Sequence, residues 1–254
     1  MRPWQRIAAT EILEQRRQPA MLFVLVANYL LWLLVFGGTF VALDFVLGDP
    51  LGREMLDEQL AGSGVELDAM IRVAVSTYGS LSFTNLPLFV SIFAGNSVLH
   101  ERNLGTLPFL LLAPLGRREL LVGKLAGAMA IPLGLHLVFV GAGCFLFGRI
   151  DLVDDFPLFG GGPAFWVGYL LGAPASTLFV GALGTVISAL SRDVRTSMQT
   201  TSFLIGLFSL GIGYALVDGL SEGVAFELVF AASGLGLAAF ALEIGARAIG
   251  RDFA

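Results

Sequence analysis

The chain has 254 residues, of which 56% are hydrophobic and only 14% are charged, whereas roughly a quarter of the residues in an average soluble domain are charged. This composition excludes an ordinary soluble domain and favours a protein that crosses a lipid bilayer. The formal net charge of -5 excludes a nucleic-acid partner, which would need an extensive basic face to neutralise phosphates.

The first 20 residues predict an amphipathic helix that lies flat at the membrane surface. Trp4, Ile7, Ala8 and Ile12 recur at helical spacing, and Pro19 ends the segment. The alternative is an ordinary cytoplasmic cap on the first membrane span. Residues 21–254 then predict a single membrane domain.

Six apolar segments follow, and each has about the 20 residues that an α-helix needs to cross a bilayer. The predicted spans are residues 21–47, 71–99, 120–147, 164–190, 201–217 and 224–244. The sequence therefore predicts an all-α integral membrane protein with six transmembrane helices. The second segment is the most polar, so four of its side chains are predicted to line a pathway: Ser80, Thr84, Asn85 and Asn96.

The basic residues predict the orientation, because lysine and arginine are retained on the cytoplasmic side of a membrane. Of the 15 basic residues, only Arg53, Arg72 and Arg149 fall in the loops predicted to be external. The other twelve fall in the tails, the internal loops and their flanks. Both termini are therefore expected in the cytoplasm, with the chain in the inner (cytoplasmic) membrane.

The segment between the second and third spans, HERNLGTLPFLLLAPLGRREL at residues 100–120, is patterned beyond what a simple turn requires. Thr106 can cap a short helix, Pro108 suits its first turn, and Pro114 ends it. Leu110 and Leu111 would then lie at the cytoplasmic surface. An apolar helix in that position is typical of a surface that binds a protein groove.

This region, GNSVLHERNLGTLPFLLLAPLGRRELLVGKLAGA, resembles the permeases of type-2 ABC exporters. In that family the second span leads into Glu-Arg, Gly-Thr-Leu, a Leu-Leu-x-x-Pro stretch, a basic pair with Glu, and Gly-Lys at the next span. The matching residues are Glu101, Arg102, Gly105, Thr106, Leu107, Leu111, Leu112, Pro114, Arg117, Arg118, Glu119, Gly123 and Lys124. VISALSRDVRTSMQTTSFLI is similar to the short inner loop between spans four and five. Pro108 departs from the family, which often has an acidic residue there.

The resemblance implies that the segment is a coupling helix seated in a groove of a separate ATPase. It implies a pathway formed by two permease chains, as a homodimer or a heterodimer, with two ATPase subunits and transport out of the cell. The implied ATPase contacts are Glu101, Arg102, Gly105, Thr106, Leu107, Pro108, Leu110, Leu111, Pro114, Arg117, Arg118 and Glu119.

No catalytic residues and no metal site are predicted on this chain. A phosphate-binding loop needs Gly-x-x-x-x-Gly-Lys-Ser/Thr, but Gly123 and Lys124 are followed by Leu125, and Arg118 stands where the first glycine is required. The chain is therefore not expected to be an enzyme or to bind a cofactor. ATP and magnesium are expected on the partner ATPase.

Two function classes remain open. One is a transport permease, and the other is a membrane scaffold or mechanical anchor that an ABC-type ATPase clamps without transport. A polar cavity would favour transport, and a sealed interface would favour the scaffold.

Two glycine pairs have the spacing that allows close contact between helices: Gly123 with Gly127, and Gly168 with Gly172. Both pairs favour packing within the chain over a dimer seam.

Overall fold

The protein is all-helical in the described part of its computed structural model, which comprises residues 2–61, 67–147, 163–191, 193, 195–197, 199–203, 206–208, 211 and 223–252. The helices are α1 Pro3–Arg16, α2 Pro19–Gly48, α3 Pro50–Ala61, α4 Leu67–Asn103, α5 Leu107–Leu112, α6 Arg117–Phe147, α7 Pro163–Val167, α8 Ala173–Leu190 and α9 Val224–Asp252. A π-helical turn, Gly168–Gly172, joins α7 to α8. The predicted all-α class is confirmed.

Four helices of the described chain are long and apolar enough to cross a membrane: Pro19–Gly48, Arg117–Gly143, Gly168–Leu190 and Val224–Ile249. They correspond to the predicted first, third, fourth and sixth spans. The predicted second span lies within α4. Much of the predicted fifth span, 201–217, lies outside the described residues.

The long helices run in two directions. Contacts of Val90 with Gly181 and of Ala94 with Gly184 make α4 parallel to α8. The helix α9 is also parallel to α8, because Gly234 lies beside Ala175 and Gly245 lies beside Val186. The helix α6 runs in the opposite direction. Leu125, early in α6, contacts Gly181, whereas the later residue Leu137 accepts a hydrogen bond from the earlier residue Tyr169.

The end of the bundle that carries α5, called here the α5 end, gathers the ends of several helices. One apolar cluster there contains Leu107 of α5 with buried residues of α4, α6, α8 and α9: Val98, Leu120, Leu121, Ala189, Ala246 and Ile249. Ile7 of α1 packs against the same cluster. The N-terminal helix and the end of α9 therefore lie at the same end of the bundle as α5.

Glycines bring α1 directly against α6. A methyl group on Gly123 would lie 2.8 Å from Cβ of Ile7, and one on Gly127 would lie 2.7 Å from Cγ of Glu11. Both distances are shorter than real Cβ contacts allow. This glycine pair serves packing within the chain, as the sequence predicted.

The π-helical turn precedes Pro174, which lacks the N–H that an α-helix would direct to the carbonyl four residues earlier. Gly168 in this turn faces Glu227 of α9, whose side chain is fully buried. His136 is also fully buried, and its ring lies 5.6 Å from that of Tyr169, measured between centroids. Gly168, Glu227, Tyr169 and His136 therefore lie together toward the end of the bundle opposite to α5.

We predict that Gly127→Ala destabilises the protein, because its new methyl group must displace α1 from α6. Overpacking of this kind typically costs about 1–3 kcal/mol. Gly134→Ala is the matched control on α6, since a methyl group there meets no atom within 4 Å and should gain about 0.5–1 kcal/mol from helix propensity. Thermal unfolding of both variants in detergent tests this, and a melting temperature for Gly127→Ala at or above that of Gly134→Ala would contradict it.

Candidate functional site

A glycine in the left-handed conformation ends α4 and starts the α5 segment. Gly105 has φ +70°, which residues with a side chain rarely adopt. The Gly105 N–H donates to the Arg102 carbonyl at 3.1 Å. The Thr106 N–H donates to the Glu101 carbonyl at 3.0 Å. These two bonds form a Schellman motif, which satisfies the last carbonyls of α4 and turns the chain sharply into α5.

A buried lysine connects this turn to α1. The Lys124 ammonium on α6 donates to Glu11 Oε2 of α1 and to Glu101 Oε1 of α4, both at 2.7 Å. The lysine side chain is only 4% exposed, and the two carboxylates are 8% and 12% exposed. Three helices thus contribute one charge each to a single buried cluster, called here the Lys124 cluster.

The two carboxyl groups of the Lys124 cluster differ in their environment. Burial raises the pKa of Glu101, but hydrogen bonds from Lys124 and Thr106 more than offset this, so its pKa lies below the ordinary value. Burial also raises the pKa of Glu11, and the attraction of Lys124 offsets only part of that rise. Both carboxylates lie 2.7 Å from the lysine, and Glu101 also accepts the hydrogen bond from Thr106.

Thr106 takes a different role from the predicted one. It precedes α5 as expected, but its backbone is in the αR region with φ -87° and ψ -20°, and its side chain makes no capping hydrogen bond. The hydroxyl instead donates to the Glu101 carboxylate. The predicted cap is wrong, because the Schellman turn sets the Thr106 backbone and directs its side chain toward α4.

Arg102 fixes the turn to α8. Its Nη1 donates to the Ser191 carbonyl at 2.7 Å, and its Nη2 donates to the Ala189 carbonyl at 2.8 Å. These carbonyls lie at the C-terminal end of α8, where a helix has unpaired acceptors and partial negative charge. The adjacent pair Glu101 and Arg102 therefore ties the α5 segment to α1, α6 and α8.

The apolar side chains of α5 divide between a packed face and an exposed face. Leu107 is buried, while Leu110 and Leu111 pack against the apolar cluster at the α5 end. Phe109 is 74% exposed and Leu112 is 83% exposed. Together with Leu104 in the preceding turn, which is 61% exposed, they form what is called here the α5 outer face.

The residues on either side of α5 define its ends, start α6 and link α6 to α9. Pro108 lies in the first turn of α5, and Pro114 follows its end, as the sequence predicted. The Gly116 N–H donates to Glu119 Oε2 at 3.0 Å, which helps to cap α6. Arg118 pairs with Glu243 of α9, whereas Arg117 is exposed.

The predicted pathway residues all lie on α4. Asn85 is buried, and Asn96 is half-buried, with its Nδ2 donating to the Ile92 carbonyl at 3.2 Å. Ser80 and Thr84 fall within the helix, but their side chains lie outside the described part of the structure.

Glu11 and Gln15 lie on the buried face of α1 and were not among the residues predicted from the sequence. Gln15 is 3% exposed, and its Nε2 donates to the Gly127 carbonyl at 3.0 Å. The available signal was helical spacing: Glu11 follows Ile7 by four residues and precedes Gln15 by four, so both continue the face that Trp4 and Ala8 begin. A polar pair on such a face indicates a buried polar partner.

We predict that Lys124→Met strongly destabilises the protein, because Glu11 and Glu101 would be left close together without a cation. Removing one partner from a buried ion pair typically costs about 3–5 kcal/mol. Glu11→Gln should cost less, since Glu101 keeps its lysine and the burial of Glu11 already disfavours its charged form. Thermal unfolding in detergent compares the two variants, and equal or reversed losses would contradict this role of the cluster.

Comparison with known proteins matches the chain to a protein family. No curated protein and no solved structure matches the chain. The profile of the family described as ABC-2 family transporter protein matches residues 5–229, which covers most of the chain and contains most of α1, the whole of α5 and the Lys124 cluster. The chain therefore belongs to the ABC-2 transporter family, and its predicted identity as a type-2 ABC transporter permease is confirmed.

Proposed function

We propose that this chain is the membrane-spanning permease subunit of an ABC exporter, and that a separate ATPase binds it through α5. The observation that carries the proposal is the α5 outer face. Leu104, Phe109 and Leu112 are each more than 60% exposed. The segment that carries them is nevertheless held in place by the contacts of Glu101 and Arg102. An exposed apolar face on a fixed support is suited to a protein groove.

The anchors give α5 a way to transmit movement. Thr106 contacts Glu101, Glu101 pairs with Lys124, and Arg102 holds the end of α8. A displacement of α5 by the ATPase must therefore move α4, α6 and α8 with it or break buried charge contacts. We assign to this network the transfer of force from ATP hydrolysis to the membrane helices.

Two features of the topology support six membrane crossings. Because α2 and α6 both leave the α5 end, the chain between them has to return to it, and α4, with 37 residues and a length of about 55 Å, is long enough to do so. Because α8 and α9 are parallel, the end of α8 and the start of α9 lie at opposite ends of the bundle, and we assign the predicted fifth span, 201–217, to the crossing between them.

The proposed complex contains two permease chains and two ATPase subunits. One chain supplies only part of a pathway in the family that the sequence resembles, so a second copy or a close relative would complete it. ATP and magnesium would be bound by the ATPase, since Lys124, which stands in a Gly-Lys pair, is occupied by Glu11 and Glu101.

We place both termini and α5 in the cytoplasm, with the chain in the inner membrane. In a Cys144→Ala background, single cysteines test this by labelling intact cells with a membrane-impermeant reagent. We expect Asp57→Cys and Asp154→Cys to be labelled from outside, and Arg117→Cys and Arg192→Cys to be labelled only after the membrane is opened. The reverse pattern would overturn the orientation.

We predict that Phe109→Asp and Leu112→Asp release the ATPase from the permease. A carboxylate buried in an apolar groove without a partner should weaken binding on the order of tenfold or more. The fold should be retained, because both side chains are exposed. Leu110 and Leu111 are less suitable targets, since changes there would also disturb the apolar cluster.

The measurement is affinity purification of each variant from native membranes, with the ABC-type ATPase quantified by mass spectrometry. Met55→Asp is the matched control, because Met55 is a 63% exposed apolar residue on α3, at the opposite end of α4 from α5. Full recovery of the ATPase with both α5 variants would show that α5 is not its docking site.

A further inference from the structure

A cavity of about 220 Å³ lies between α1, the start of α2 and the second half of α4, at the α5 end of the bundle. Its polar wall comes from α1 and α4, and includes Glu14, Gln15 and Asn96. Its apolar wall is formed by Met21, Ile92 and Phe93. The cavity thus combines a polar side and an apolar side, as sites for amphiphilic molecules do.

Two amide groups on the polar wall have oxygens without partners among the described residues. Gln15 uses its Nε2 to donate to the Gly127 carbonyl, which leaves its Oε1 buried and unsatisfied. Asn96 uses its Nδ2 to donate to the Ile92 carbonyl, which leaves its Oδ1 buried without a hydrogen-bond donor. A buried acceptor without a donor is costly. Both residues line the cavity, so a ligand whose N–H or O–H groups reach these oxygens would remove that cost.

The charge of the wall selects among such ligands. Glu14 is half-buried and forms no ion pair with the described residues, so its carboxylate adds negative charge to the cavity. Glu11 also lines the cavity but is paired with Lys124. His100 lines the cavity as well, and Glu14 is the carboxylate there that remains for a ligand. With this carboxylate and two amide acceptors, the wall favours a cationic donor over a neutral or anionic one.

The size of the cavity limits what enters it. Drug-sized ligands occupy pockets of roughly 300–1,000 Å³. At roughly 30 Å³ for each water-sized group, this cavity holds about seven such groups. It therefore accommodates a charged head and the first part of a chain, beside Met21 at the start of α2.

We propose that this cavity is a binding site for a primary ammonium group carried on an apolar chain. The ammonium donates to the Gln15 and Asn96 oxygens and pairs with Glu14, while the chain lies against Met21, Ile92 and Phe93. This site does not depend on the proposed transport function, because it is defined by binding to the permease alone.

The test is thermal unfolding of the purified full chain in a non-ionic detergent, titrated with octylammonium. We expect a saturable rise in melting temperature, and a much weaker effect from octyltrimethylammonium, which has the same charge but no N–H donor. Octyl sulfate and octanol control for insertion of the chain into the micelle. Equal stabilisation by octylammonium and octyl sulfate would overturn the proposal.

Two variants locate the effect. Glu14→Gln removes the charge, and Asn96→Leu removes the acceptor at nearly constant volume. Each should weaken octylammonium binding about tenfold, which is the loss expected for one charge-assisted contact. Glu58→Gln on α3 is the matched control and should bind as the wild type does. Unchanged affinity in both Glu14→Gln and Asn96→Leu would also overturn the proposal, and unfolding without ligand reports whether each variant is folded.

The same assay separates the two sources of such a ligand. If lysophosphatidylethanolamine stabilises the wild type and loses this effect in Glu14→Gln, the site binds the ammonium headgroup of a lipid. If it has no effect while octylammonium does, the site binds a free cationic amphiphile. Lysophosphatidylglycerol, which lacks the ammonium, is the control for both results.

Discussion

The arrangement of the α5 end depends on one buried ion cluster. Desolvating the Lys124 ammonium is costly, and the cost is offset only because Glu11 and Glu101 each bind it at 2.7 Å. The three charges come from α6, α1 and α4, so none of these helices can shift alone without leaving a buried charge unpaired. Through its contact with Glu101, Thr106 extends the same constraint to α5.

Hydropathy was enough to predict the spanning helices that the structure describes, because a bilayer imposes a minimum length of apolar helix. The bounds of α5 also followed from local chemistry, since Pro108 fits a first helical turn and Pro114 ends the helix. The role of Thr106 did not follow. An N-cap needs an extended backbone, whereas the αL conformation of Gly105 and the two hydrogen bonds around it fix Thr106 in the αR region.

Contacts between distant parts of the chain were beyond prediction from one sequence. A six-residue helix such as α5 is too short for its periodicity to show which leucines are packed, so Leu110 and Leu111 could not be told apart from Phe109 and Leu112. Their orientation is set by Leu107, which enters a cluster built from α4, α6, α8 and α9. Likewise, 113 positions separate Glu11 from Lys124, and only the packing of α1 on Gly123 and Gly127 brings them together.

The proposed ammonium site and the Lys124 cluster share α1, which limits how one can act on the other. Glu11 lines the cavity and binds Lys124, while Gln15, one turn later, lines the cavity and binds the Gly127 carbonyl. Because Gly123 and Gly127 already place α1 in close contact with α6, α1 cannot approach α6 further, and the displacement left along that direction is away from it. Such a movement lengthens the contact between Glu11 and Lys124 and leaves Glu101 as the main partner of the lysine. If α1 has a second position of this kind, a ligand in the cavity would act on α5 only through the difference in its affinity for the two positions, and a displacement of α5 would change that affinity by the same factor.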